Sequence, residues 1–389
     1  LARETSLTPE IYPQPAWSES GIIAQSMSRK LTQGSQVTLA GDPAPGFASG
    51  ILFKRFSQQP SVNAAGRTSF HATVGSNDTE VSWISVIYSD AGGSLAPVAF
   101  TGQSAPGTGG VFAELGREPA IDAASATFFW ARVANMPAST QGIWRAHAAT
   151  LAPMLLTGQT ITAAPGPIAS IARQIGLSAS GAFTAVVSFA GSQGPVPAIV
   201  EVTPTGDARI IAMRGMQAPD APPGVHYQVL GPSFISAEGQ IAFHSILAGE
   251  GVGAGSQEAI YAVSPSGIPR LVARTGVSME VDGLGSVTPI QLSFGSGGSF
   301  GGSVQFSGNA TLAFRAIFAS AGPGQNEALI LAEIPCTADQ DGSGFVDTDD
   351  FTYFVGLFEA GDPRADIDGS GFVDTDDFTA FVIAFEAGC

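Results

Sequence analysis

Short apolar stretches separated by turn residues run along most of the chain and predict an all-β protein. Between residues 110 and 160, alternating apolar and polar positions predict strands over 112–115, 127–133, 141–147 and 152–157. Similar groups of about four strands recur along the chain. The pattern therefore predicts a series of small sheets rather than one large sheet.

The pattern changes near the end of the chain, where apolar residues recur at helical spacing. Phe351, Phe354 and Phe358 are matched, 27 residues later, by Phe378, Phe381 and Phe385. Spacings of three and four place each trio on one face of a helix, over 351–359 and 378–386. We expect these aromatic side chains to form a core in which one helix packs against the other.

A short pattern, N/S/D-x-x-G-x-x-A-F, marks the β part as a tandem repeat. Its copies begin at Ser18, Asn63, Asp122, Ser178, Ser236 and Ser307, although Ser125 and Ala310 replace the glycine in two of them. A second marker, an apolar strand running into a glycine-headed loop, begins at Leu39, Phe100, Leu156, Met213 and Arg274. The first pattern predicts a tight turn, followed by an Ala-Phe pair that enters the core.

The repeats predict a mainly β fold, with a β-propeller-like body of about six four-stranded units and a small α-helical C-terminal domain. The expected divisions are an extended N-terminal segment over 1–17, the repeat body over 18–335 and the helical domain over 336–389. Strands from the two ends of the body would share a closing unit. An open β-solenoid or tandem sandwiches satisfy the same spacing.

Composition excludes several classes of protein. With 44% hydrophobic and only 13% charged residues, the chain is too apolar to be disordered. Only two lysines and no basic stripe are present, which argues against nucleic acid and against an anionic membrane surface. No apolar run is long enough to cross a bilayer. Because Leu1 is not followed by a leader-like segment, we expect a secreted protein whose signal peptide has been removed.

The acidity is concentrated in the last 54 residues, which carry −12 of the net charge of −17. The sequence DGSGFVDTDDFT occurs there twice, over 341–352 and 368–379. Each copy lies in a twelve-residue loop with oxygen donors at positions 1, 3, 5, 7, 9 and 12 and glycine at position 6. The donors are Asp339, Asp341, Ser343, the Phe345 carbonyl, Asp347 and Asp350, and then Asp366, Asp368, Ser370, the Phe372 carbonyl, Asp374 and Asp377.

Hard oxygen donors without histidine or cysteine are typical of a calcium site, and magnesium is the one serious competitor. Four carboxylates in one loop would repel each other strongly in the absence of a cation. The sequence therefore predicts two calcium ions per chain. Aspartate stands at position 12 where glutamate is usual, which would weaken each site.

Two cysteines bracket this acidic segment. Cys336 lies just before the first loop and Cys389 is the last residue. The arrangement predicts one disulfide in an oxidising compartment, with two free thiols as the alternative.

The loop-helix, linker, loop-helix order resembles the dockerin module, and the final cysteine resembles the GC-terminated variants on secreted planctomycete proteins. The resemblance implies attachment to a cohesin-like or cell-surface partner. Dockerins carry recognition residues at loop positions 10 and 11, which here are Thr348 and Asp349, then Thr375 and Asp376, so cohesin binding stays open. The body resembles a family of secreted bacterial proteins defined by tandem NxxGxxAF repeats, which implies no established activity.

No motif of an established catalytic site is present in the sequence. His71, His147, His226 and His244 lie in four different repeats, and we interpret them as structural. The sequence predicts a secreted, non-catalytic structural or adhesive protein that assembles with itself into a fibre or layer, or is anchored through its dockerin-like domain. One alternative is a polysaccharide-binding module. The other is a propeller glycoside hydrolase, with Asp122 and Glu238 as candidate carboxylates.

Overall fold

The computed structural model describes residues 21–24, 35–57, 59–76, 83–136, 139–236, 239–263, 269–293, 311–319, 326–333, 338–340, 345–365, 367 and 372–387. Strands make up the regular structure as far as residue 333, and helices follow. The predicted fold class is confirmed: a mainly β, propeller-like repeat body with a small helical C-terminal part. Within the described ranges, no helix is long and apolar enough to span a membrane.

Sheets 1 and 2 are antiparallel meanders in which successive strands are neighbours, and each includes one extra two-residue strand. Sheet 1 contains β3 (Leu52–Phe56), β4 (Ser61–Val62), β5 (Thr68–Gly75), β6 (Ile84–Ser89) and β7 (Ala96–Phe100). Sheet 2 contains β8 (Val111–Leu115), β9 (Ala120–Ile121), β10 (Thr127–Ala134), β11 (Thr140–His147) and β12 (Thr150–Leu156). The four strands predicted between residues 110 and 160 are thus confirmed, with ends that differ by one or two residues.

Sheets 3 and 4 have the same four-stranded order. Sheet 3 contains β13 (Ile168–Leu177), β14 (Phe183–Gly191), β15 (Gly194–Val202) and β16 (Ala208–Met213). Sheet 4 contains β17 (His226–Ile235), β18 (Ile241–Ala248), β19 (Glu258–Val263) and β20 (Pro269–Arg274).

The units at the two ends of the body differ from the prediction of about six four-stranded units. Among the described residues, sheet 5 has three strands, and two hairpins have two strands each. The hairpins are β1 (Gly21–Ala24) with β2 (Ser35–Leu39) and β21 (Met279–Val281) with β22 (Gly285–Val287), and sheet 5 contains β23 (Pro289–Ser293), β24 (Thr311–Phe318) and β25 (Glu327–Glu333). The next described element after β25 is a helix, so no described residue after β25 adds a fourth strand to sheet 5.

The helices are α1 (Thr348–Ala360) and α2 (Thr375–Ala387), with a short 3-10 turn at Pro363–Ala365. Both begin three residues earlier than predicted, because Asp347 caps the first turn of α1 and Asp374 makes the same contacts in α2. The Phe354 and Phe381 rings stack with centroids 4.0 Å apart. The predicted aromatic core between the two helices is confirmed.

Both faces of the central strands are buried. In β10, Phe128 packs against Phe183 of sheet 3, whereas its neighbour Phe129 belongs to a cluster shared with Ile87 of sheet 1. Successive side chains of a strand point to opposite faces, so sheets 1 to 4 each contribute to two cores. This explains why these strands are almost continuously apolar.

The glycine-headed loops connect the last strand of one sheet to the first strand of the next. Gly102 has φ +91°, and its amide donates to the Phe112 carbonyl at 2.8 Å. An aromatic residue of the third strand then holds the loop: Tyr88 donates to the Pro45 carbonyl at 3.1 Å, and Tyr261 to the Pro219 carbonyl at 3.2 Å. The second sequence marker is therefore a structural connection, and its glycine supplies a left-handed backbone conformation.

The N/S/D-x-x-G turns join the sheets to one another. Asn63 accepts the Arg67 amide within its own turn and donates from Nδ2 to the Asp122 carbonyl at 2.8 Å, in the equivalent turn of sheet 2. That turn continues to sheet 3, where the Ala123 amide donates to the Ala179 carbonyl at 3.1 Å. The three motif copies that begin at Asn63, Asp122 and Ser178 are thus joined in a hydrogen-bonded series.

The outer face of sheet 5 carries exposed apolar side chains beside the Arg315–Glu327 ion pair. On β25, Leu329 and Leu331 are 74% and 69% exposed, whereas Ile330 between them is buried in the core shared with sheet 4. Sheet 5 therefore has one covered and one uncovered face among the described residues.

Replacing glycine by alanine in two equivalent turns separates backbone strain from crowding. Gly66 has φ +75° with nothing within 4 Å of an added Cβ, whereas Gly181 has φ +89° and its added Cβ would lie 2.9 Å from Asp122 Oδ2. We expect Gly66→Ala to destabilise the body by about 1 kcal/mol through strain alone, and Gly181→Ala by at least about 1 kcal/mol more. Urea unfolding of both variants measures the difference. In a double-mutant cycle, Asp122→Ala should remove the excess cost of Gly181→Ala, and equal costs for the two glycines would contradict the role of Asp122.

Candidate functional site

The first strands of neighbouring sheets approach each other closely. A Cβ added to Gly176 of β13 would lie 3.2 Å from the Ser233 carbonyl of β17. The Ser233 hydroxyl also donates to Thr184 Oγ1 at 3.1 Å. Because propeller sheets converge towards their centre, we call β3, β8, β13, β17 and β23 the inner strands.

Charged side chains from sheets 2 and 3 meet at these inner strands. Glu114 of β8 lies 3.2 Å from Arg132 Nε of β10 and 2.6 Å from a terminal nitrogen of Arg173 of β13. The side chains of Glu114, Arg132 and Arg173 are 32%, 44% and 62% exposed. The carboxylate therefore binds two guanidinium groups, from two different sheets, while remaining open to solvent.

Trp130 fixes one of these guanidinium groups. Its indole nitrogen donates to the Ile171 carbonyl at 3.0 Å, which orients the buried ring. The guanidinium carbon of Arg173 lies 4.8 Å from the centre of that ring. Arg173 is thus held by stacking on one side and by the Glu114 carboxylate on the other. We refer to Glu114, Trp130, Arg132 and Arg173 as the inner-strand cluster.

Glu118 lies between β8 and β9, and its surroundings differ from those of Glu114. Glu118 is half-buried, and this burial raises the pKa of its carboxyl group because the charged form is poorly solvated. Two carboxyl groups on one short segment thus have contrasting environments. Such a contrast is what an acid and a carboxylate with separate roles require.

His71 of β5 is buried, with a serine on each side of its ring. Nδ1 is 2.6 Å from the Ser57 hydroxyl, and Nε2 is 2.6 Å from the Ser85 hydroxyl. Desolvation, and secondly the positive charge of Arg117, lower the pKa of His71 to about 4. A neutral ring satisfied at both nitrogens agrees with the predicted structural role.

A cleft of about 580 Å³ lies between sheets 1 and 2, apart from the inner-strand cluster. Its lining includes Ser89, Gln103, Ser125 and His147 among small residues, and His147 is the one ionisable side chain among the lining residues. The cleft is large enough for a small polar ligand. It lacks the paired acid and base groups that most hydrolytic reactions need.

The described part of each predicted metal loop has the same geometry. Asp350 is fully buried and accepts the amides of Gln340 and Asp347 at 2.7 and 3.0 Å, and Asp377 is fully buried and accepts the Asp374 amide at 2.8 Å. Asp339, Phe345 and Phe372 are also described. The described acidic side chains form no metal-binding group by themselves, but several predicted ligands lie outside the described residues, namely Asp341, Ser343, Asp366, Asp368 and Ser370.

Other predicted residues also lie outside the described ranges: Cys336 and Cys389 of the predicted disulfide, the candidate carboxylate Glu238 and the segment 1–17. The other candidate carboxylate, Asp122, is 2% exposed, and its Oδ1 accepts the Ala126 amide at 2.7 Å within the motif turn. Asp122 therefore acts in the turn, and the structure does not place it in an open pocket.

A family profile covers most of the repeat body. The profile of a family of unknown function, DUF7453, matches residues 16–203 and 198–324. The chain belongs to this family. The matched ranges stop before the acidic segment, so the dockerin-like interpretation of residues 336–389 stays a prediction. No curated protein matches the sequence significantly.

The fold of the chain is similar to that of several solved structures. The chain resembles the β-propeller domain of the Trilobed protease from Pyrococcus furiosus at 10% identity and a TM-score of 0.37, with 72% of this chain and 69% of that one covered. It resembles a family 117 glycoside hydrolase from Zobellia galactanivorans at 10% identity and a TM-score of 0.30, covering 75% and 86%. It resembles an endo-arabinase from Bacteroides thetaiotaomicron at 10% identity and a TM-score of 0.28, with 72% of this chain and 94% of that one covered.

The prediction that the chain is not an enzyme is wrong on this comparison, because two of these similar folds belong to a glycoside hydrolase and an endo-arabinase. The physical reason lies in how a propeller builds a site. Its side chains come from separate sheets, so the absence of a local catalytic motif excludes nothing. Likeness at these scores concerns the fold and assigns no reaction.

Sequence reasoning missed Glu114, Glu118, Arg132 and Arg173 because it considered only acids inside the repeat motif. One signal was available. Arg132 and Glu114 are charged residues within strands that are otherwise apolar or small, TFFWARVA and VFAEL. A charge in such a strand requires a partner or an open edge.

The His71 environment predicts a stability that depends on pH. Because the pKa of His71 falls from 6.5 to about 4 on folding, its contribution is complete above pH 6.5 and is lost as the pH falls through about 4. The loss amounts to about 3 kcal/mol for a shift of this size. We expect His71→Gln to flatten the fall in stability over this range, as measured by urea unfolding at several pH values. His147→Gln, at the exposed cleft, is the control, and an equal effect of both substitutions would contradict the assignment.

Proposed function

We propose that the repeat body is a secreted glycoside hydrolase that acts on a polysaccharide at its inner strands. The observation that carries this proposal is the pair of carboxyl groups in contrasting environments, Glu118 half-buried with a raised pKa and Glu114 ion-paired to Arg132 and Arg173. Hydrolysis of a glycosidic bond uses one carboxylic acid and one carboxylate.

In this proposal, Glu118 is the general acid that protonates the leaving oxygen. Burial keeps a larger fraction of this carboxyl group protonated near neutral pH than a solvent-exposed glutamate would have. Glu114 supplies the negative charge that stabilises the developing positive charge on the sugar ring. Its two arginine partners keep the carboxylate in place. Water then adds to the ring carbon in place of the broken glycosidic bond, and the proton it loses returns to the Glu118 carboxylate.

The polar cleft between sheets 1 and 2 supports binding of a sugar chain as an additional role of the body. It offers Ser89, Gln103 and His147 among small side chains, so hydroxyl groups could be accommodated without a large apolar partner. A polysaccharide-binding function is thus compatible with the hydrolase proposal and uses a different part of the surface.

The C-terminal helices form the second part of the proposal, a module with two calcium ions. Residues 336–389 contain thirteen acidic residues and one basic residue, Arg364, whose guanidinium group binds Asp362. Burying Asp350 and Asp377 in so acidic a segment favours a bound cation. A Cys336–Cys389 disulfide would close the module.

Attachment is the proposed role of this module, either to a cohesin-like or cell-surface partner or to another copy of the chain. Phe345 and Phe372, at matching positions of the two loops, are each 74% exposed, which supports a contact surface. The exposed leucines of β25 support contact between copies.

Replacing Glu118 by glutamine tests the hydrolase. Release of reducing ends from a panel of extracellular polysaccharides should fall by about 10²- to 10⁴-fold in kcat/KM, because the proton donor is lost. Wild-type activity should decline as the pH rises through the raised pKa of Glu118, and the variant should lack this decline. Glu201→Gln is the matched control, since Glu201 is ion-paired to Arg209 at 2.6 Å in β15 and β16, away from the inner strands. Full activity in Glu118→Gln, or no cleavage of any polysaccharide by wild type, would refute the proposal.

Titration with calcium tests the module. We expect two ions per wild-type chain by calorimetry and one per chain in Asp350→Asn, with Asp349→Asn, an exposed neighbour in the same helical turn, as the control that keeps two. Chelation should reduce the helical circular dichroism signal without changing tryptophan fluorescence, because all four tryptophans precede residue 336. Uptake that Asp350→Asn leaves unchanged would show that the ligands are wrongly assigned.

A further inference from the structure

The guanidinium groups of Arg132 and Arg173 are only partly used by Glu114. Each guanidinium carries five N–H donors in a planar arrangement, and Glu114 contacts Nε of Arg132 and one terminal nitrogen of Arg173. Both side chains are substantially exposed, at 44% and 62%. The two groups therefore present donors to solvent at one place on the inner strands.

Arg173 is also held in a fixed orientation before any ligand arrives. The buried Trp130 ring lies 4.8 Å below its guanidinium carbon, and the indole itself is fixed by the Ile171 carbonyl. Ordering a free arginine on binding would cost conformational entropy, and this arrangement avoids most of that cost. Guanidinium groups of this kind recognise carboxylates by paired hydrogen bonds.

The local charge is opposite to that of the whole chain. The net charge is −17, whereas two arginines here surround one glutamate. The net negative charge gives no general attraction for anions, so these two guanidinium groups are a local exception to it. Glu114 acts as a positioning residue, because it joins the two guanidinium groups across the junction of sheets 2 and 3.

We propose that the inner-strand cluster binds the carboxylate of a uronic acid unit, so that the polysaccharide recognised by the body is an acidic one. This inference rests on the proposed function for the idea that the ligand is a polysaccharide. It adds the substrate class and the residues that select it, Arg132 and Arg173.

The test compares polygalacturonate with its fully methyl-esterified form, in which every carboxylate is an uncharged methyl ester. We expect full-length protein to bind polygalacturonate at least about tenfold more tightly by calorimetry, with affinity that falls as salt is added. Arg173→Gln and Arg132→Gln should each remove most of this preference. Arg209→Gln, which breaks the ion pair on the outer strands of sheet 3, should leave it unchanged, and melting temperatures verify that all variants fold.

Binding measured with the Glu118→Gln variant separates this inference from the hydrolase proposal. Preferential binding of polygalacturonate without cleavage by wild type would support the acidic ligand and refute the hydrolase. Cleavage of neutral polysaccharides together with equal affinity for the two polymers would support the hydrolase and overturn the acidic ligand. A loss of preference in Arg209→Gln as large as that in Arg173→Gln would also overturn it.

Discussion

Burial of both faces of the central strands in sheets 1 to 4 is the constraint on which the rest of the structure depends. Phe128 and Phe129 are adjacent in β10, yet they belong to cores shared with different sheets. A sheet of this kind with a neighbour on one side only would expose an apolar face to water, at a cost of roughly 1.5–3 kcal/mol for each large side chain. The turns and loops of the repeat therefore place each sheet against the next one. The Asn63 side chain contributes directly, because its Nδ2 donates a hydrogen bond to the Asp122 carbonyl in the turn of sheet 2.

The same constraint determines where polar chemistry is found. Between the sheets a charge must be satisfied locally, and His71 meets this condition by remaining neutral between two serines. At the inner strands the sheets converge and side chains regain access to solvent. Glu114, Arg132 and Arg173 are partly exposed there and still close enough to pair between sheets. A site assembled in this way draws on residues 114 to 173, which no local motif joins.

Sequence patterns predicted the repeat, the strands of sheet 2 and the two helices, because these features follow from local periodicity and turn chemistry. The observed helices begin earlier than predicted, because Asp347 and Asp374 cap them. The sequence pattern identifies these aspartates only as loop ligands, whereas aspartate is suited to both roles. Glu114 and Arg132 are cross-strand neighbours within sheet 2, and their charge in largely apolar strands was a local signal. The contact of Arg173 with Glu114 was not predictable, because it depends on the packing of sheet 3 on sheet 2. The number of strands in the terminal units could not be predicted either, because it depends on which sheet edges pair with strands that are distant in the sequence.

Cores shared between neighbouring sheets also determine how the body comes apart. Sheets 2, 3 and 4 each belong to two such clusters, whereas sheet 5 has an open side at Leu329 and Leu331. In a linear array of this kind, the stability of a unit is the sum of its own energy and the interfaces on either side. Unfolding then progresses inward from the least supported end, and amide hydrogens should exchange faster in β25 than in β10 or β14. The inner-strand cluster lies at the junction of sheets 2 and 3, so it is retained while the end of the array opens and closes.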